Sequence, residues 1–521
     1  MRKSRWIALG LLITCCFRLS AQVDTVYFTV AMQQREQHKF DVSMQFMPPP
    51  GDYVDIRMPV WSPGYYQILN YAEHVDNFSA RLDDGQVLQW ERHGHDGWRV
   101  FGAASDSSAP DVVHLQYTII AERPFVATSY IDTSRAFIKP ASVFMYIDGQ
   151  LRRPARVAIK APQRWPNVAT GLDAVRGQQY VFEAADFDIL YDSPLLVGQL
   201  RSLPSFEVDG KKHRFIGYGM SSDFNADALM DDIHKIVVAA KAVVTDQLPY
   251  DHYTFIGIGP GQGGIEQLNS TAISFTGEEL EGQGRLQTLS FIAHEYFLHF
   301  NVKRIRPVEL GPFDYSQPNR TDLLWVGEGL TVYYENILLH RTGLINGQQM
   351  LDDWASTITN LENNPGRFKQ TLAESSWKTW EDGPFGNPGE TISYYVKGPI
   401  IAMLLDIEIR HATGNQRSLD DVMRRLYSDY YMAAGRGFTS AEVRQVCESV
   451  AGAPLNELFD YIYTTKAIDY RSYFTKAGLD ITFDKVQQPD GSERVKARIT
   501  TAPHADTLTS AVRKGLIGDP Y

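Results

Sequence analysis

The feature that most limits the fold is a change of hydrophobic period part-way along the chain. From Val26 the apolar residues alternate with polar ones: Val26, Phe28, Val30; then Phe40, Val42, Met44, Phe46; then Val113, Leu115, Tyr117, Ile119. A period of two with one buried face belongs to antiparallel strands, and turn-rich pieces such as MPPPGD and RLDDGQ interrupt it where chain reversals are needed. Residues 22–205 therefore read as an N-terminal antiparallel β-sandwich. After HRFIGYG the period lengthens. Leu229, Ile233, Ile236 and Val237 recur at helical spacing, with Asp223 and Asn225 available as caps. YTFIGIG, from Tyr253, returns briefly to strand. From Leu286 to about Phe474 the pattern is mainly helical, with capping boxes SLDD at Ser418 and TSAE at Thr439 and an apolar face of Ile400, Ile401, Leu404 and Leu405. The expected class is α+β, with a second domain over 206–475 that is mixed and then helical. Residues 476–521 are expected to form a short β-hairpin around Asp490 and Gly491 with a tail.

A chain of 521 residues exceeds one ordinary core, and 44% hydrophobic content supplies enough apolar material for two or three. A net charge of −12 without a basic stripe disfavours nucleic acid as a partner. The start, MRKSRWIALGLLITCCFRLSAQ, is basic, then apolar from Ile7 to Phe17, then small at Ser20 and Ala21. That order predicts a signal peptide over 1–21 cut before Gln22, hence export to the periplasm or the exterior. Its apolar run is too short to span a bilayer. Thr14 and Cys15 are poor residues to precede a lipidated cysteine, so anchoring through Cys15 or Cys16 is not expected. After cleavage Cys447 alone remains, which leaves no intrachain disulfide. No later segment is apolar for long enough to make a transmembrane helix.

The chemistry concentrates in HEYFLHF, residues 294–300. A zinc hydrolase needs three protein ligands, an open fourth position and a carboxylate to take a proton from bound water. Two histidines four residues apart on a helix are offset by about 40° and can grip one ion. His294 and Glu295 supply a first ligand and a base, but the second ligand's position holds Leu298. His299 is rotated by about 140° from His294 and joins it only through a one-residue π-bulge. Glu328, in LLWVGEGLTVYYEN, is the candidate third ligand on a neighbouring helix. GIGPGQGG lacks the register of a dinucleotide loop. His93 and His95 in HGHDGW read as exposed loop residues rather than a second metal site.

AHEYFLHFNVKRIRP and WVGEGLTVYYEN resemble the glycyl aminopeptidase family of gluzincin metallopeptidases, whose helix runs H-E-Y-F-H-x-x-N-x-K-R-x-R-P. MPVWSPGYYQILNYAEHVDNFSA, GGIEQLNST, ISYYVKG and SLDDVMRRLY extend the resemblance over about 25–475. It implies a thermolysin-like catalytic domain over 206–475 behind the β-domain, with zinc as cofactor and peptides or proteins as substrates or ligands. His294, Glu295 and Glu328 then take the roles of ligand, base and ligand, and Leu298 replaces a ligand without any insertion. Gln267 stands where the family tends to have histidine. The resemblance also implies that Glu266, with Gly263 and Gly264, holds a substrate's free amine and backbone, and that Tyr394 or Tyr395 donates to the oxyanion. Lys303, Arg304 and Arg306 read either as pairs that orient the ligands or as a solvated basic run. The C-terminal PDZ module of many relatives is not expected here.

Two functions follow. One is an exported aminopeptidase using zinc-activated water. The other is a pseudopeptidase that keeps the cleft, has lost the metal, and binds peptides or partner proteins. Leu298, which offers no lone pair, separates them.

Overall fold

The computed structural model describes residues 25–518 apart from 104–111, 279, 281 and 489–490. The predicted signal peptide and the turn at Asp490 lie outside the described residues. The chain divides into two compact units, Met1–Val60 with Asn70–Gln199, and Trp61–Leu69 with Leu200–Tyr521.

The first unit is built from three β-sheets. In the largest, seven strands lie in the order 173–174, 181–184, 155–160, 26–31, 39–46, 113–120 and 75–82. The period-two positions are its inner face: Phe28, Val30, Phe40, Met44, Leu115 and Ile119 are all buried. Two further sheets of four strands each complete the unit. The α+β class holds, with one difference from the expected antiparallel sandwich: strand Val26–Ala31 pairs in parallel with Ala155–Lys160. Parallel neighbours need a long crossover, and here the intervening strands supply it, a long-range choice that alternation cannot encode.

In the second unit a mixed sheet runs in the order Arg201–Ser202, Lys211–Gly217, His252–Gly257, Ser270–Phe275 and Gly259–Glu266. Gly259–Glu266 forms its edge, antiparallel to Ser270–Phe275. Helix Ala226–Val244, capped by Asn225 through a 3.0 Å bond to the Ala228 N–H, buries the Leu229, Ile233, Ile236 and Val237 stripe. Helix Gly282–Phe297 carries the HEYF residues. The helical remainder follows, and both expected boxes form: Glu442 accepts from the Thr439 N–H at 2.8 Å, and Asp421 from the Ser418 N–H at 2.9 Å. Beyond residue 476 the strands Leu479–Gln487 and Glu493–Thr501 pair, and the expected tail contains a helix, Thr507–Ile517, whose Val512 and Leu516 are buried. Its polar outer face dilutes the apolar signal over so short a segment. Cys447 is buried and free. Among the described residues no helix is long and apolar enough to cross a membrane.

Candidate functional site

Helix Gly282–Phe297 meets the helical segment that begins at Trp325, and their facing side chains form the site. His294 Nδ1 lies 2.6 Å from Glu335 Oε1, and its Nε2 lies 3.7 Å from Glu328 Oε2. Glu335 is itself anchored by the Ser290 hydroxyl at 3.0 Å. The carboxylate thus accepts Nδ1–H and turns Nε2 toward Glu328. Burial opposes charge on His294, but Glu335, Glu328 and Glu295 outweigh it and hold the imidazole well above its ordinary value. An imidazolium therefore sits among the carboxylates at neutral pH.

Glu328 reaches this place from a π-turn, Trp325–Gly329, which runs into helix Leu330–Arg341. Widening a helical turn releases carbonyls from their usual donors. Asn301, fully buried, collects them: its amide donates to Val326 O and Gly327 O, both at 2.8 Å, and lies 3.0 Å from Thr331 Oγ1. Glu328 is only 2% exposed and its Oε2 accepts no hydrogen bond.

Glu295 lies under the edge strand. A Cβ on Gly264 would fall 2.6 Å from its carboxyl carbon, so only glycine lets the strand pass so close. Thr271 Oγ1 stands 3.4 Å from its Oε2. Burial first, then Glu266 and Glu328, push this carboxyl up to about 8, with His294 opposing. Glu266 ends the same strand, opposite Thr271 and 3% exposed. Gln267 is not a cleft residue in this arrangement. It closes the turn between the strands, donating to Ile265 O at 2.5 Å and accepting from Ser270 at 3.0 Å.

The tyrosines separate. Tyr394 is buried with its hydroxyl 3.2 Å from Thr379 Oγ1, whereas the Tyr395 ring lies 6.1 Å from the His294 ring. Their helix, Tyr394–Ala412, comes this close because Gly398 faces Gly329: a Cβ on Gly398 would sit 2.7 Å from the Gly329 Cα.

Leu298 N–H donates to His294 O at 3.1 Å, so the turn is α-helical and Leu298 follows His294 on the same face. It is buried. After it the chain tightens, with His299 N–H bonding Tyr296 O at 3.2 Å. His299 does not substitute for Leu298. Its ring packs between Tyr250, Tyr253 and Tyr296, with Nδ1 3.2 Å from Arg304 Nη1. Burial, and then Arg304, hold it well below its ordinary value and therefore neutral. Nor is the basic run solvated. Arg304 is 4% exposed and binds Leu268 O, His299 O and Pro249 O, while Lys303 and Arg306 lie over the Phe313 ring. In the first unit His93 Nε2 lies 3.2 Å from Arg99 Nη2 and His95 is exposed.

Sequence reasoning missed three participants. Glu335 follows Glu328 by seven residues, two helical turns, and that spacing is a usable signal. Asn301 carries no local pattern. Tyr66 belongs to a segment of the β-rich sequence that joins the second unit, and nothing local predicts the transfer.

The donor set decides how zinc would fit. His294 Nε2 and Glu328 Oε2 are two donors at a separation that two ligands of one ion can have. Leu298, four residues after His294, offers no donor atom, and among the described residues no group of three or more His, Cys, Asp or Glu is placed to hold a metal. The residues present do not fit a three-ligand zinc site.

Two family models match the sequence: the Peptidase M61 N-terminal domain over 27–199 and M61 glycyl aminopeptidase over 287–401. No curated protein matches. Among solved structures, an aminopeptidase N family protein from Idiomarina loihiensis is 25% identical, with a TM-score of 0.81 over 90% of this chain and 81% of that one. An M1 zinc metallopeptidase mutant from Deinococcus radiodurans bound to a Tyr-Ser-Ala substrate is 13% identical, with a TM-score of 0.53 over 86% and 94%. Yeast LTA4 hydrolase in complex with bestatin is 13% identical, with a TM-score of 0.53 over 88% and 70%. These last two share the fold.

Proposed function

Because the chain belongs to the M61 glycyl aminopeptidase family, we propose that its cleft recognises the free N-terminus of a peptide, and that Leu298 has weakened or removed the family's metal-dependent hydrolysis. Family and neighbours support a peptidase function at the coarser level. The observation that carries the finer reading is the charge balance of the cleft. Glu266 and Glu328 are buried carboxylates, Glu335 is largely buried, and the His294 imidazole lies against Glu328 and Glu335. A buried excess of negative charge favours a cationic ligand. A peptide's ammonium fits beside Glu266, with its backbone along the edge strand at Gly263 and Gly264, where missing side chains leave room for a chain to pair. The apolar and basic start of the sequence supports export as the setting.

Titration calorimetry with a glycine-first tripeptide and its N-acetylated form tests this. Binding is expected for the free peptide, at least about tenfold weaker for the acetylated form, and weaker again in Glu266→Gln. Equal binding of both forms by the wild-type protein would sink the reading.

A second reading, retained aminopeptidase activity with weakly held zinc, is favoured by one arrangement: His294 remains oriented by Glu335 and faces Glu328. Glu295 as base and Tyr395, rather than Tyr394, as oxyanion donor belong to that reading. Stoichiometric zinc in the wild-type protein together with release of N-terminal residues would establish it.

A further inference from the structure

The chain carries a net charge of −12, yet one cavity of the second unit is lined by three cations, Arg494, Lys496 and Arg498, against a single carboxylate, Asp352. Its volume is about 920 Å³, within the range of small-ligand sites, and it shares no residue with the His294 site. Helix Gly347–Glu362 and strand Glu493–Thr501 form its two walls.

Side chains tie the walls together. Asn363 Nδ2 donates to Val495 O at 2.7 Å and its Oδ1 accepts the Val495 N–H at 3.0 Å, while Thr359 Oγ1 accepts the Ala497 N–H at 2.9 Å. These bonds fix the strand to the helix and also close its outer edge at Val495 and Ala497. An extended peptide finds no free backbone there with which to pair.

Two rows of side chains line the groove. Arg494, Lys496 and Arg498 stand two residues apart on the strand and so share a face, at intervals of about 6.7 Å. Arg498 is paired with Asp484 at 3.5 Å, whereas Arg494 and Lys496 have no ion-pair partner among the described residues. On the helix, Gln348, Asp352, Ser356 and Asn360 recur every four residues and make one ridge, about 6 Å per step. Asp352 accepts from Gln348 Nε2 at 2.9 Å, and Ser356 and Asn360 offer a hydroxyl and an amide that bond to no side chain among the described residues. Positive potential is thus concentrated where uncharged donors and acceptors are also in reach.

We propose that this groove binds an acidic oligosaccharide, a chain of hydroxyl-rich units bearing carboxylates, with Arg494 and Lys496 on the acid groups and Ser356 and Asn360 on the hydroxyls. Charge complementarity selects an anion. The closed strand edge disfavours an acidic peptide, since an extended peptide draws its affinity from main-chain pairing. No aromatic side chain lines the groove, so nucleic-acid bases have nothing to stack on. The proposal does not depend on the N-terminus reading above.

Calorimetric titration of the full chain tests it. The wild type is expected to bind a hexamer of galacturonic acid at least about tenfold tighter than maltohexaose, an uncharged hexasaccharide, or hexaglutamate, which carries the charge without the hydroxyls. Arg494→Ser combined with Lys496→Ser, both exposed positions, should weaken the hexamer about tenfold or more, and Asn360→Ala about fivefold, with thermal melting unchanged. A folded double variant or a folded Asn360→Ala that keeps the wild-type affinity overturns the proposal. Hexaglutamate bound as tightly as the sugar acid assigns the groove to acidic peptides and overturns it, as does equal binding of maltohexaose. Failure of the wild type to bind the galacturonate hexamer overturns it outright.

Discussion

His294 hands its Nδ1–H to Glu335 at 2.6 Å, a pairing that stands although Leu298 follows His294 on the same helical face. The carboxylate fixes which imidazole nitrogen looks into the cleft, whatever occupies the neighbouring ligand position. Orientation and coordination are therefore separable here.

Restoring the missing donor should restore the metal. Leu298→His is expected to hold about one zinc per chain after dialysis, with affinity more than about 100-fold above that of the wild type, because a direct ligand matters more than the outer partners whose loss costs 10–100-fold. Elemental analysis of both proteins, with hydrolysis of aminoacyl reporters alongside, checks this. One tightly bound zinc in the wild type would contradict it.

Asn301→Ala should loosen the turn that presents Glu328. Val326 O and Gly327 O would lose a buried donor, a cost of about 2–4 kcal/mol. Urea denaturation measures the loss. Unchanged stability would mean that water or neighbouring donors take over both carbonyls.

Gly398→Ala drives a methyl group to 2.7 Å from the Gly329 Cα, backbone against backbone with no flexible side chain to yield. Overpacking of this kind costs about 1–3 kcal/mol. The helix must shift outward and take Tyr395 away from His294, so affinity for a free-amine peptide should fall together with stability. Stability that falls while affinity holds would separate Tyr395 from the ligand.

Acid should unfold the protein partly through His213. Its Nδ1–H donates to Lys211 O, its Nε2 accepts from the Tyr250 hydroxyl, and burial lowers it from 6.5 to about 4. The unfolded chain takes up a proton that the folded chain refuses. The contribution is complete above pH 6.5 and is lost as pH falls through about 4. His299, lowered by burial, acts in the same direction. Urea midpoints between pH 7 and pH 4 should show His213→Gln losing stability less steeply than the wild type, by about 1.4 kcal/mol per pH unit. Parallel curves would place the acid sensitivity elsewhere.

The sequence by itself determined the α+β order and singled out His294 and Glu295 as candidates for the chemistry. Period-two residues such as Phe28 and Leu115 need only their neighbours to declare a strand, and the spacing of His294, Glu295 and Leu298 follows from helix geometry alone. It also places Leu298, a side chain without a lone pair, four residues after His294. Only the tertiary structure decided where His299 turns, which tyrosine faces His294, that Glu335 orients that histidine, and that Tyr66 crosses into the second unit. Those outcomes depend on contacts between residues far apart in the chain, where packing and the need to satisfy buried polar groups, rather than local periodicity, select the arrangement.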